Sequence, residues 1–366
     1  MQHQMRSPVF RLIGAERSYF TAKVRPALRA KRVVFEEVPA TPEAYREILR
    51  RTGLAFIPVV VTPEDATWQD TSEILDALEA RFPEPALYPR TPAQRLAAYL
   101  LELYADEFMV LPAMHHRWST PEGEREARDA FAALSGNPEN AGRFADRIRA
   151  TLPPLGVTKD TIPAIEAHLD ELLGLLEELL AEQPFLLGAR PSLADCSLMG
   201  PLYAHLYLDL VPGPWLRGRA PRTSHWIERM NHPDPESFGD FLPGDALHPA
   251  LGRILGLVGR DALPVVLDTV RAFEAWADAR PEGAEEPPRG VGMHETRLRG
   301  VAMPRYTSAY TLWMLQRPQG AYRALPAPGR AAVYRALAGT PCEALFAYAP
   351  RHRLGKRRHH LVFETG

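Results

Sequence analysis

The stretch Ala55-Phe56-Ile57-Pro58-Val59-Val60-Val61, followed nine residues after its last valine by Asp70-Thr71-Ser72-Glu73-Ile74-Leu75, decides the fold. Proline donates no ladder hydrogen bond, so the apolar run cannot be a central strand from end to end. It can be a strand entered through a cis Ile57–Pro58 bond, which leaves the Ile57 backbone unpaired and open to a ligand. Asp70-Thr71-Ser72 ahead of Glu73-Ile74-Leu75-Asp76-Ala77-Leu78 reads as a helix N-terminus with its donors exposed. An unpaired strand edge beside a helix N-terminus suits a peptide-like ligand that carries a carboxylate.

Working outward, Val9 to Ile13 reads as a first strand ending at Gly14, Thr21 to Lys31 as a helix and Val33 to Val38 as a second strand. Glu43 to Arg51 makes a short helix and Pro58 to Thr62 a strand. Pro63 to Ala66 forms a turn, Trp68 starts a return strand, and Ser72 to Arg81 closes the unit. The strand-helix-strand opening requires a right-handed crossover and parallel pairing. Pro83 to Pro89 is a linker, and Thr91-Pro92 starts a helix running on toward Trp118, because proline is favoured at the first helical position. Residues 119–160 are polar and broken. Ile162 to Glu182 is strongly periodic, and Phe185 to Ala194 leads to Ser192 and Asp195, a capping box with Asp in the usual Glu position.

Three of these strings, Ser18–Arg25, Phe56–Ile74 and Phe185–Asp195, stand in the order found in the cytosolic glutathione S-transferases. The chain resembles the serine-type classes of that superfamily. The resemblance implies an α+β fold: a thioredoxin-like glutathione-binding domain over residues 7–84, then an all-helical domain over 91–235. Residues 236–366 have no counterpart in ordinary relatives and form a mostly helical C-terminal extension of unassigned fold. In it, Pro249–Val258, Leu263–Ala279, Tyr306–Leu315 and Gly329–Ala338 read as helices, Val291–Val301 and His360–Phe363 as strands, and Glu282–Pro288 as an acidic break.

Composition narrows the function classes. Charged residues make up 24% and hydrophobic ones 46%, ordinary for a globular protein, and a formal net charge of -2 argues against a dedicated nucleic-acid binder. Arginines number 39 against four lysines, which reads first as coding bias. Two cysteines, Cys196 and Cys342, exclude a disulfide framework and point to a reducing cytoplasmic setting. Met1–Pro8 lacks the apolar core of a signal peptide, and no apolar run is long enough to span a membrane.

The resemblance places an activating hydroxyl at Ser18, just after the first strand, with Tyr19 as a second candidate beside it. Such a hydroxyl and a helix N-terminus favour the thiolate of glutathione. The alternative is that Ser18 only caps the helix and Tyr19 packs on it. Pro26 points to a helix starting near Ala22 or Lys23, or kinked at Pro26, because proline is harmless only in the first turn. Ile57, before Pro58, would offer its backbone to the cysteinyl part of glutathione by strand addition. Asp70 would take the γ-glutamyl ammonium and Thr71 the carboxylate, with Arg51 as the nearest base for the glycine carboxylate. Phe20, Met109, Met114, His115 and Trp118, with Phe108 and His116, would line an electrophile pocket. His115 and His116 point about 100° apart on a helix and cannot chelate together, and no other metal spacing occurs.

Two functions are open at this point. One is a glutathione S-transferase activating the thiol, with glutathione as co-substrate and no metal, for attack on or reduction of a small hydrophobic electrophile, the chemistry of detoxification. The other is a non-catalytic binding protein of the same fold acting through its C-terminal extension. Relatives commonly pair as homodimers, so a homodimer is expected, with no nucleic-acid or membrane partner. The basic run Arg351–His360 is a solvated tail or a site for an anion or acidic partner.

Overall fold

Alternation along Phe10-Arg11-Leu12-Ile13 splits the first strand between two apolar clusters. Phe10 and Leu12 join Val60 under one face, and Ile13 joins Val59, Val61, Ala44 and Ile48 under the other. The computed structural model describes residues 9–281 and 283–364. The start of the expected first domain, the segment Met1–Pro8 and Glu282 of the acidic break lie outside them.

The first unit runs β1 (Phe10–Gly14), α1 (Tyr19–Ala30), β2 (Phe35–Pro39), α2 (Pro42–Thr52), β3 (Val59–Val61), β4 (Thr67–Gln69) and α3 (Thr71–Arg81). The sheet order is β2-β1-β3-β4, with β1 parallel to β2 and the other pairs antiparallel. This is the expected thioredoxin-like arrangement. Helix α1 departs from expectation, since it starts at Tyr19 and continues through Pro26. Ser18 caps it by accepting from the Thr21 N–H. Val24, Ala27 and Leu28 are fully buried, so tertiary packing offsets the backbone bond that Pro26 forfeits.

Helices follow: α4 (Pro92–Glu107), α5 (Val110–Trp118), α6 (Pro121–Ser135), α7 (Pro138–Arg149), α8 (Leu152–Leu155) and α9 (Ile162–Glu182). Next come α10 (Leu193–Met199), continued by a π-helical segment Gly200–Tyr207, then α11 (Pro212–Arg219) and α12 (Pro221–Asn231). The single helix expected from Thr91 toward Trp118 is two, with Phe108 and Met109 between them. The polar region 119–160 is largely helical because Thr120 and Asn137 cap α6 and α7. The capping box is present as expected. Asp195 is buried and accepts from the Ser192 and Leu186 backbone N–H groups, the Ser192 hydroxyl and the Trp226 indole.

The extension has α13 (Pro249–Leu257), joined through a π-helical turn to α14 (Leu263–Asp278), then β5 (Gly290–Leu298) and β6 (Val301–Ser308). It continues through α15 (Ala309–Arg323), α16 (Ala327–Leu337) and α17 (Glu343–Ala347) to β7 (Leu354–Arg357) and β8 (His360–Phe363). Two antiparallel hairpins, β5–β6 and β7–β8, replace the single strands expected. Tyr306 lies in β6 rather than opening a helix. The extension is no loose appendage: Leu312, Met314 and Leu315 of α15 are fully buried in the main core, and α15 and α16 pack on α4. Among the described residues no helix is long and apolar enough to cross a membrane.

Replacing Asp195 with Ala would leave the Trp226 indole and two backbone donors buried and unpaired, each costing about 1–3 kcal/mol. Asp195→Ala is therefore expected to lose at least about 3 kcal/mol of stability, read as a fall in the urea midpoint. A loss below about 1 kcal/mol would remove the box from the list of elements that hold the helical unit together.

Candidate functional site

Gln69 at the end of β4 reaches across to the incoming chain, its side-chain amide donating to the carbonyls of Phe56 (2.9 Å) and Leu54 (3.3 Å). Between them and β3 lies the cis Ile57–Pro58 bond. The Ile57 N–H and C=O make no hydrogen bond among the described residues. Asp70 ends the next loop with φ of 81°, a left-handed conformation uncommon for a residue with a side chain. Its Oδ1 accepts from the Ser72 N–H at 3.0 Å and caps α3. Thr71 is buried at the first position of that helix.

Asp70 Oδ2, expected to meet a ligand's ammonium, is met by groups of the chain itself. The Lys356 ammonium of β7 lies 2.8 Å from this oxygen, and the Tyr310 hydroxyl of α15 donates to it at 2.7 Å. Lys356 also meets Glu73 at 3.2 Å and stands 3.8 Å over the Trp313 ring. Its side chain is only 9% exposed, so the pair is shielded from solvent. On the other side, Arg289, just before β5, stacks 3.9 Å over the Phe56 ring. Residues from both hairpins and from α15 thus border the loop Phe56–Ile57 and the start of α3.

Behind this surface lies a buried charge cluster. Lys23 of α1 donates to Ser72 (3.2 Å), Glu102 (2.9 Å) and Asp106 (2.6 Å). Arg317 of α15 pairs with Glu102 at 2.9 Å and with both oxygens of Asp76 at 2.7 and 3.1 Å. Burial would raise the Glu102 carboxyl, but Lys23 and Arg317 together hold it well below its usual range. Burial also pushes Asp106 up, to about 7, and neighbouring Glu102 adds to the rise against the pull of Lys23. Asp106 Oδ1 is buried with no hydrogen-bond partner among the described residues.

The expected site residues are only partly gathered. Ile57, Pro58, Asp70 and Thr71 stand together as described. Ser18 is half-buried, its hydroxyl capping α1. Tyr19 corrects an expectation: its side chain is buried and its hydroxyl donates to the Ala105 carbonyl at 2.5 Å, inside the core. Burial raises that phenol well above its usual value, and its one proton is already given to Ala105. Arg51 is likewise engaged elsewhere, with Glu47 (2.8 Å), Asp65 (2.7 Å) and Thr67 (3.3 Å), and so does not serve as the glycine-carboxylate base.

The electrophile pocket also differs. Met109 and Trp118 are buried in the helical core, and buried His115 bonds Ser119 (2.9 Å) and Glu166 (3.0 Å). These three fill a packed interior rather than line a cavity. Phe20 is half-buried against Tyr19, and Met114 is half-buried against the same core. His116 stacks on Trp215, and burial, with His115 beside it, pushes its imidazole down to about 3. Both cysteines are buried and unpaired, with thiols raised by burial. Among the described residues no group of three or more His, Cys, Asp or Glu could hold a metal ion.

Lys356, Tyr310 and Arg289 are the site residues that sequence reasoning missed. Tyr310 lay in the expected helix Tyr306–Leu315 and Lys356 in the basic run Arg351–His360, but nothing local tied either to Asp70, which lies 240 residues before Tyr310.

Residues 12–86 match the family model "Glutathione S-transferase, N-terminal domain", and residues 159–229 match "Glutathione S-transferase, C-terminal domain". These two stretches are the two domains of the glutathione S-transferase fold. No curated protein matches it. Among solved structures it is similar to a glutathione S-transferase from Rhodospirillum rubrum, at 19% identity over 66% of this chain and 97% of that one, TM-score 0.42. A beta-etherase from Sphingobium is similar at 17% identity over 67% and 98%, TM-score 0.44. A glutathione S-transferase from Methylobacterium radiotolerans, in complex with glutathione sulfonate, is similar at 23% identity over 65% and 99%, TM-score 0.38.

The raised Asp106 carboxyl gives this glutathione S-transferase fold a definite pH response. A carboxyl that ionises near 7 when folded and near ~3.9 when unfolded holds more protons in the folded state between those values. That contribution to stability is full below the unfolded value and is lost as pH rises through the folded one. The native chain is therefore expected to lose stability relative to Asp106→Asn between pH 4 and 8, measured by urea unfolding at fixed ionic strength. A difference that does not change with pH, or that grows in the native chain's favour, would contradict the assignment.

Proposed function

We propose that this chain is a glutathione S-transferase-fold binding protein rather than a transferase, with its own C-terminal extension lodged in the subsite for the γ-glutamyl end of glutathione. The observation that carries the reading is the Lys356–Asp70 contact. Both oxygens of the carboxylate that would take glutathione's ammonium are already engaged, by Lys356, Tyr310 and the helix cap. A free ligand must displace an ammonium tethered to the same chain, which competes at high effective concentration. Tyr19 and Arg51 have no free group to offer, and Ser18 is a helix cap. Because α15 is part of the core, the extension does not withdraw as a unit.

A transferase reading keeps one specific support. The Ile57 backbone is unpaired, beside the buried Thr71 at the start of α3, which suits the cysteinyl and carboxylate parts of glutathione. In that reading glutathione is bound once the β7–β8 hairpin lifts, and Ser18 steadies the thiolate. The two readings separate by titration calorimetry with glutathione. The native chain is expected to show no saturable binding at millimolar glutathione, and Lys356→Ala, which frees Asp70, is expected to gain it. Saturable micromolar binding by the native chain, with turnover of a thiol-reactive electrophile, would overturn the binding-protein reading.

The same reading makes the protein a cytoplasmic monomer instead of the expected homodimer. Relatives pair the first domain of one protomer with the helical domain of the other. Here Arg317 of α15 bridges α3 and α4 within one chain, and α16 covers a further part of α4. Light scattering on the purified chain is expected to give a mass near 40.9 kDa. A mass twice that would return the homodimer.

A further inference from the structure

The carboxyl end of α2 and the tip of the β7–β8 hairpin enclose a surface cleft of about 620 Å3, separate from the Asp70 subsite. It is lined by Arg51, Thr52, Gly53, Glu286 and the four consecutive residues Arg357, Arg358, His359 and His360. Five of these eight carry basic side chains and one is acidic. Arg51 is tied to Glu47 and Asp65, and Arg357 to Glu285 and Glu286, the latter pairs exposed and weak. Arg358, His359 and His360 make no side-chain hydrogen bond or ion pair among the described residues. Burial, then neighbouring Lys356 and His360, hold His359 below its usual value, so near pH 7 it is neutral and has one N–H to give. The end of α2 presents about half a negative charge to the cleft, opposite the unpaired Arg358 guanidinium.

The hairpin accepts strain to present these groups. Arg357 pairs with His360, so Arg358 and His359 are a two-residue turn, with φ of 49° and 74°. Such a turn wants Asn-Gly, because both central residues sit in the left-handed region. The β5–β6 turn of the same chain, Arg299-Gly300, meets that demand with glycine at its second position. The β7–β8 turn places two bulky basic residues there, and strain of that kind marks a site used for something besides folding. Across the cleft, Gly53 has φ of 76°, and a Cβ built on it would lie 2.9 Å from His360 Nε2. Glycine at 53 also ends α2 in the left-handed conformation.

We propose that this cleft binds the phosphate group of a small phosphorylated molecule, gripped by Arg357, Arg358, His359 and His360 on the hairpin, while Arg51 stays tied to Glu47 and Asp65. Donors on four consecutive residues, two of them planar guanidinium groups, suit a tetrahedral oxyanion with several acceptors better than a planar carboxylate. The cleft is larger than a phosphate alone requires, which leaves room for the rest of the molecule. Bound there, the ligand would also pin the hairpin that carries Lys356 to the first domain.

The test is titration calorimetry of the full chain with inorganic phosphate and with glycerol phosphate, at constant ionic strength, with chloride as the control anion. It is repeated on the double variant Arg358→Asn with His359→Gly. That variant installs the preferred turn, so it is expected to keep its fold and raise the melting temperature while losing affinity for either probe at least tenfold, about one charge-assisted hydrogen bond. A tighter grip on the ester than on free phosphate would assign the source to a phosphomonoester. Absence of saturable binding by the native chain, or equal affinity in the variant, would overturn the proposal. Glutathione is in neither titration, so this result is independent of the preceding one.

Discussion

The meeting of Lys23, Glu102, Asp106 and Arg317 at one buried point is the constraint on which the rest of this structure depends. Lys23 comes from the first unit, the two carboxylates from α4 and the guanidinium from the extension. None of these charges can be left alone without a penalty of several kcal/mol, because desolvating an unpaired ion is expensive. Lys23 and Arg317 meet Glu102, Asp106 and Asp76 only when all three parts of the chain are in place. That makes the extension a condition of the native state, and it fixes α15 against the start of α3. Tyr310 and Trp313, earlier on the same helix, are thereby delivered to Asp70 and Lys356.

On the proposed reading, that placement fills the ligand cleft. The fold supplies a loop with free backbone groups at Ile57 and a helix that starts at Thr71 behind an acidic cap. The extension sets Lys356 and the Tyr310 hydroxyl against the Asp70 carboxylate, with the Trp313 ring under the ammonium. Fold and function separate at this step, since the scaffold is shared and the occupied site belongs to this chain.

The first unit was legible in the sequence because its signals are local. The Ile57–Pro58 string, the Asp70-Thr71-Ser72 cap and the Ser192–Asp195 box each announce themselves within a few residues. Helix α1 was misplaced because the rule for Pro26 is local too, while the burial that overrides it is tertiary. Tyr19 and the supposed pocket residues Met109, His115 and Trp118 went astray for a related reason. Apolar and aromatic residues near an expected site look the same whether they line a cavity or fill a core. In the extension, β6 and β7 were hidden because Arg305 and Lys356 interrupt any apolar pattern. Each is satisfied by groups distant in the chain: Arg305 by the carbonyls of Leu155 and Glu107, Lys356 by Asp70.

A double-mutant cycle between Asp70 and Lys356 tests the central claim most directly. Asp70→Asn, Lys356→Met and the double variant are compared with the native chain by urea unfolding, Asn being chosen because it still caps α3. A shielded pair gives a coupling energy of at least about 1 kcal/mol, and that is the result expected here. Effects that add to within about 0.3 kcal/mol would mean that Lys356 does not hold the Asp70 carboxylate, and that the cleft is open to a ligand.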